Sequence, residues 1–224
     1  MAIISDIRIY RCKIENVNGV RPQPFINKKM CAVATRICMK LRENVFFMGD
    51  FDHLYINLST FVSEGDVKPA DKSPDRYHPW YRYYDVGISQ ALYDSLETSD
   101  CIPVVSRLIE KVLITQFSTP EFDEDKISQC VSEAVTQGED MLMKLKEKES
   151  SQRIAVLYLR FLDTCMYFPL LRVYDNDGNI VLEKDLPESV TLDTCGQISV
   201  SSKRVTIKPR KNSRTEGETI VFEL

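Results

Sequence analysis

Glycine is scarce in this sequence, with 8 in 224 residues, where about 7% is usual. Neither GxGxxG nor GxxxxGK followed by Ser or Thr occurs, which argues against glycine-rich phosphate loops. The seven cysteines, Cys12, Cys31, Cys38, Cys101, Cys130, Cys165 and Cys195, contain no CxxC pair. That removes zinc ribbons and thioredoxin-like redox motifs. Histidine is limited to His53 and His78, and tryptophan to Trp80. No apolar run approaches the roughly 18 residues of a membrane span. A basic excess is also missing: 33 acidic residues outweigh 29 basic ones, for a formal net charge of -4. This balance argues against a general nucleic-acid binder and suits a solute or an inhibitor of basic partners. The opening stretch, MAIISDIRIYRCKIEN, alternates and has no basic segment before a continuous apolar core, so no secretory signal is expected. The odd number and wide spacing of the cysteines point the same way, to small buried hydrophobes in a reducing cytoplasm.

What is present is ordinary globular material, 43% hydrophobic and 28% charged. Residues 3–15 alternate Ile7 and Ile9 against Arg8, Arg11 and Lys13, which predicts a strand. Residues 16–29 carry Asn-Gly and two prolines and read as loop. Met30 to Leu41 is apolar with β-branched residues and reads as a second strand, Asn44 to Asp50 as a short third, and His53 to Val62 as a fourth. Residues 63–79 read as polar loop. From Val86 the period becomes helical, with Ser89 near a helix start and Ile88, Ala91, Leu92 and Leu96 on its face. Ser99 or Asp100 would cap a second helix, with Pro103 in its first turn. A third would start at Ser118-Thr119-Pro120-Glu121 and run to about Lys148, its acidic start and its Lys144, Lys146 and Lys148 end both suiting the helix dipole. Strands then return at 153–162, 166–174, 179–184, 190–194, 197–208 and 218–224, with a hairpin turn at Asp175 to Gly178. Strands grouped at both ends with about three helices between them predict an α+β fold with a mostly antiparallel sheet. The expected organisation is a single domain over 1–224, divisible into β-rich 1–85, helical 86–150 and β-rich 151–224.

Three groups of residues carry candidate chemistry. Gly49 to His53, GDFDH, superficially resembles phosphoesterase metal motifs. Asp50, Asp52, His53 and His78 would serve a metal-dependent hydrolase or nuclease, although such a site needs more ligands than the sequence supplies. No GxSxG elbow supports a nucleophile. The second group is aromatic: Tyr77, Trp80, Tyr81, Tyr83 and Tyr84, interleaved with Arg76 and Arg82. It reads either as an anchor that seats a loop on the core or as a protein-binding hot spot, in which Trp, Tyr and Arg are favoured. Glu121, Asp123 and Glu124, in the run EFDEDK, form the third group. They read as a well-capped solvated helix start or as a surface complementary to a basic partner. The basic tail, with Lys203, Arg204, Lys208, Arg210, Lys211 and Arg214, reads as a solvated hairpin tip rather than a phosphate-binding surface.

FDHLYINLST followed by WYRYYDVGIS resembles the bacterial immunity proteins of polymorphic-toxin and contact-dependent-inhibition systems, over about residues 45–97. Several such families share an N-terminal β portion, an aromatic-Asp-Val-Gly stretch and a helical segment. The resemblance implies a cytoplasmic, non-enzymatic protein, without cofactor or metal, that binds one cognate toxin domain and blocks it. Arg76, Tyr77, Trp80, Tyr81, Arg82, Glu121, Asp123 and Glu124 are then the candidate partner-binding residues.

Overall fold

A computed structural model of the chain describes residues 2–74, 76–98, 100–211 and 217–224. These pack as two compact units, Met1–Gly138 and Glu139–Leu224. Ser99 and Arg214 lie outside the described residues.

The first unit contains β1 (Asp6–Cys12), β2 (Gln23–Pro24), α1 (Lys28–Glu43), β3 (His53–Ser59), β4 (Val67–Pro69), β5 (Tyr81–Gly87), α2 (Gln90–Ser95), α3 (Ile102–Phe117) and α4 (Glu124–Gln137). Its sheet has the order β2-β1-β3-β5-β4. The three long strands β1, β3 and β5 are parallel, and the short β2 and β4 pair antiparallel at the two edges. The central strand β3 is buried on both faces, as parallel strands generally are.

The expectation of four strands over residues 3–62 is corrected here. Met30 to Leu41 is helical, and it supplies the crossover that lets β1 and β3 run parallel. Asn27 caps α1, its Oδ1 accepting the Lys29 N–H at 3.1 Å. The segment looked like a strand because apolar residues run unbroken from Met30 to Ala34 and again from Ile37 to Met39. It packs on β1 and on both α3 and α4, and a helix covered on several sides carries apolar residues on more than one face. The expected strand at Asn44 to Asp50 reduces to a single bridge between Phe47 and Ile3.

The strand register sorts the side chains of β1, β3 and β5 onto two faces. Ile7, Ile9, Leu54, Ile56, Leu58, Tyr84 and Val86 share one face, covered by α1 and α3, with the Tyr84 ring 5.4 Å from that of Phe117. Arg8, Tyr10, Tyr55, Asn57, Tyr81, Tyr83 and Asp85 share the other. Segment 13–22 and the loop after β4 cover part of this second face. The Lys72 ammonium sits 4.5 Å over the Tyr83 ring and donates to the Val20 carbonyl at 2.9 Å. Asn18 and Ser73 exchange two hydrogen bonds.

The helical boundaries follow local chemistry. Ser89 caps α2 through the Leu92 N–H. Pro103 sits in the first turn of α3, after Cys101. The third expected helix begins later and ends sooner than its sequence suggested. Asp123 caps α4, and Gly138, at φ +54°, closes it, as a C-terminal glycine commonly does. Lys144, Lys146 and Lys148 therefore lie on a strand.

That strand, β6 (Met143–Glu149), opens the second unit. It continues with β7 (Ile154–Phe161), β8 (Tyr167–Tyr174), β9 (Ile180–Asp185), β10 (Gln197–Val200), β11 (Arg204–Lys208) and β12 (Ile220–Glu223). Residues 190–194 form no strand. The antiparallel sheets β6-β7-β8-β9 and β10-β11-β12 enclose a core of Ala155, Leu157, Leu171, Val173, Cys195, Ile198, Val205 and Ile207, a two-sheet packing. The fold is α+β with mostly antiparallel pairing. All seven cysteines are free thiols, and burial pushes the Cys130 thiol up to about 11. Among the described residues no helix is long and apolar enough to cross a membrane.

Candidate functional site

The aromatic candidates gather at the amino ends of the parallel strands. His53 and Tyr81 open β3 and β5 in direct register, and residues 76–80 form the turn that delivers the chain into β5. Tyr81 organises the group. Its ring stacks on His78 at 4.7 Å and 12°, leans on His53 at 4.9 Å and meets Tyr55 at 4.7 Å. Tyr55 in turn contacts Tyr10 and Tyr83 and carries the Arg8 guanidinium over its ring at 5.4 Å. Burial, and then the neighbouring Tyr81 hydroxyl, raise the Tyr55 phenol well above its ordinary range.

The outer members project from this layer. Trp80 touches His78 and Tyr81 edge-on yet remains 41% exposed, and Tyr77 is 77% exposed. Arg76 is exposed as well. Arg82 is committed to the fold. It donates to the Pro79 and Tyr81 carbonyls at 2.5 and 3.0 Å, pairs with Asp50 at 3.2 Å and lies over the Phe51 ring. The anchor and the exposed patch are thus different residues of one cluster: Tyr55, Tyr81 and Tyr83 hold it, while Tyr77 and Trp80 present it.

Chain direction brings the acidic candidates to the same end of this unit. α3 runs back from the carboxyl ends of the strands, so its last residue, Phe117, reaches Phe51 at 5.7 Å. Phe122 then packs on Phe46 at 4.7 Å. Glu121, Asp123 and Glu124, all exposed, follow at the start of α4. Asp123 is a helix cap, accepting the Lys126 N–H at 3.1 Å, and Glu124 lies in the first turn, where the helix dipole favours it. Glu133, further along α4, pairs with Lys40 at 2.8 Å, which holds its carboxyl below the usual range.

The hydrolase candidates divide. Asp52 Oδ1 lies 2.5 Å from His53 Nδ1, whereas Asp50 turns to Arg82 and His78 stacks on Tyr81. Among the described residues no group of three His, Cys, Asp or Glu side chains is placed to hold a metal ion.

Sequence reasoning missed a polar cluster on the same sheet face, toward the carboxyl ends of the strands. Asn57 Nδ2 donates to Asp85 Oδ1 at 2.7 Å, and both residues are 1% exposed beside the fully buried Asn16. Burial raises the Asp85 carboxyl, opposed by the Asn57 hydrogen bond and the Lys68 charge. Alternation in HLYINLS and YRYYDVG places Asn57 and Asp85 on the polar face, which reads as solvent-facing. The signal that escaped notice was the aromatic content of that face, since tyrosines there imply cover. No family model, no curated protein and no solved structure matches this chain.

Proposed function

We propose that this chain is a cytoplasmic immunity protein that binds a cognate bacterial toxin domain and neutralises it by protein–protein contact. The observation that carries this reading is the exposure of Tyr77 and Trp80 in the turn before β5, with Trp80 packed edge-on against the His78–Tyr81 stack. Large aromatic groups held in one orientation lose little entropy on binding and dominate interface energetics. Glu121, Asp123 and Glu124 at the same end of the unit supply a negative rim for a basic partner, which speeds association and fixes orientation.

The reading expects a toxin domain in the adjacent upstream reading frame, and the test is co-purification and calorimetry with that domain. Trp80→Ala should weaken the complex by about 2 kcal/mol, roughly 30-fold, with the melting temperature nearly unchanged. If that toxin domain forms no complex and remains active in the presence of the protein, the reading fails. A drop in melting temperature without loss of affinity would instead make Trp80 an anchor of the fold.

The Asp52–His53 pair favours a second reading, a metal-dependent hydrolase or nuclease using Asp50, Asp52, His53 and His78, since a carboxylate that orients an imidazole is a common element of such sites. Metal-dependent cleavage of bis-4-nitrophenyl phosphate that disappears in His53→Ala would establish it. Equal, background-level rates for both proteins would dismiss it.

A further inference from the structure

At the opposite end of the parallel strands, a cleft of about 580 Å³ opens beside the carboxyl end of β1. Its size falls within the range of small-molecule pockets, roughly 300–1,000 Å³, and ligands of open sheets with parallel strands usually sit outside the carboxyl ends. Arg11, Lys13 and Arg21 line it, and none of its lining residues is acidic. In a chain of net charge -4, three cations around one concavity form a local inversion of sign.

The carboxylates paired with two of these cations are shared with other donors. Glu97 reaches Arg11 Nη2 at 3.4 Å, but its oxygens also accept the backbone N–H groups of Ile26 and Asn27 at 3.1 and 3.2 Å. That ties its charge to the start of α1. Asp94 stands 3.9 Å from Lys13 and accepts a 2.8 Å hydrogen bond from Gln90 through the same oxygen. Arg21 is exposed and belongs to no ion pair among the described residues. The Arg11 Nε is buried and has no hydrogen-bond partner, a donor that costs free energy until an acceptor meets it.

The apolar lining completes the site. Ile14, 60% exposed, and Val20 flank the cations. Tyr93 closes the cleft, with the Arg11 and Lys13 charges 5.7 and 5.2 Å from its ring centre. These contacts hold both side chains toward the cavity. Guanidinium groups match phosphate oxygens in a bidentate fork, and an apolar wall beside them favours an organic substituent over a bare ion.

We propose that this cleft binds a small organic phosphate, a phosphomonoester with an apolar or aromatic body. Its phosphate would lie against Arg11, Lys13 and Arg21, and its body against Ile14 and Val20. The net negative charge outside the cleft disfavours a long polyanion, so a small ligand is preferred over a nucleic acid.

Isothermal titration calorimetry with phenyl phosphate, AMP, adenosine, inorganic phosphate and an oligothymidylate tests this directly. At least one of the two organic phosphates should bind with a sub-millimolar dissociation constant and raise the melting temperature, more strongly than adenosine or inorganic phosphate does. The double variant Lys13→Gln/Arg21→Gln alters exposed residues only. It should weaken that binding about tenfold or more while melting like the parent. The proposal is overturned if neither organic phosphate binds, if inorganic phosphate binds as well, or if the double variant binds like the parent. Tighter binding of the oligothymidylate would also overturn it, by making the surface a nucleic-acid track.

Discussion

Gly87→Ala is expected to abolish the stable fold of the first unit. A methyl group at Gly87 would stand 1.8 Å from the Ser63 carbonyl oxygen, 2.5 Å from the Ser63 carbonyl carbon and 2.8 Å from the Val62 oxygen. All three are backbone atoms, so no side chain can swing aside. The strand end and the turn are also stitched together at this point: Gly87 N–H donates to the Asp66 carbonyl at 2.9 Å, and the Gly87 carbonyl accepts from Gly65 at 3.0 Å. Relieving the overlap means breaking those bonds or moving β5, which carries Tyr81, Tyr83 and Asp85. The cost should be about 4 kcal/mol or more, in the range reserved for severe steric and backbone lesions, against a typical total of about 5–15 kcal/mol. Urea or thermal denaturation would show loss of the cooperative transition. A variant melting within a few degrees of the parent would show that the 62–66 turn can yield.

This explains why a glycine ends the stretch on which the family resemblance rests. In YRYYDVG the tyrosines build the aromatic layer, Asp85 is buried and Gly87 admits the close approach of a turn. The motif is architectural in this chain, and Arg76, Tyr77 and Trp80 just before it are exposed.

The sequence made some of these features legible and concealed others, for identifiable reasons. Local signals carried through well: Ser89 as a cap, Pro103 in a first turn, Asp175 to Gly178 as a hairpin turn, and the β-rich composition of β7 and β8. Parallel pairing did not, because it depends on the α1 crossover, and the apolar runs Met30 to Ala34 and Ile37 to Met39 mask the helical period of α1. β6 was obscured by the opposite effect. Its alternating Met143, Lys144, Leu145 and Lys146 follow a strong helix, and lysines at a helix end are so favourable that the change of period at Gly138 is easily passed over. The aromatic cluster was legible as a cluster but not as two layers. Which tyrosines anchor is set by register between β3 and β5, which brings Tyr55, Tyr81 and Tyr83 together, a long-range property that neither strand reveals alone. The proximity of the 121–124 acidic run to the aromatic turn likewise follows from the direction of α3 across the sheet.

Asp85→Asn is expected to stabilise the protein, and to do so in a pH-dependent way. Asn57 Oδ1 is buried without a hydrogen-bond partner, while Asn57 Nδ2 donates to Asp85 Oδ1 and the Asn16 amide stands near Asp85 without a well-formed hydrogen bond to Oδ2. A carboxamide at position 85 retains the acceptor for Asn57 and adds a donor suited to the Asn57 oxygen, making the pair reciprocal, and it removes a charge from a site that is 1% exposed. The groups facing Asp85 do not offset its burial: the Asn57 and Asn16 amides and Lys68 favour the charge and Glu15 opposes it, with Lys68 and Glu15 themselves 3.8 Å apart. Because burial raises the Asp85 pKa in the folded state above its unfolded value of about 3.9, the folded protein holds this proton more tightly than the unfolded chain. The associated stability is fully present below the unfolded pKa and is lost as pH rises through the folded one. Asp85→Asn should therefore differ little from the parent near pH 4 and exceed it on a plateau at higher pH. The expected gain is about 1–3 kcal/mol, the usual cost of a buried unsatisfied group. Denaturation midpoints of both proteins between pH 4 and 8 decide the matter. Parallel curves would mean that Asp85 titrates alike folded and unfolded, and a less stable variant at high pH would mean that the Lys68 charge outweighs burial.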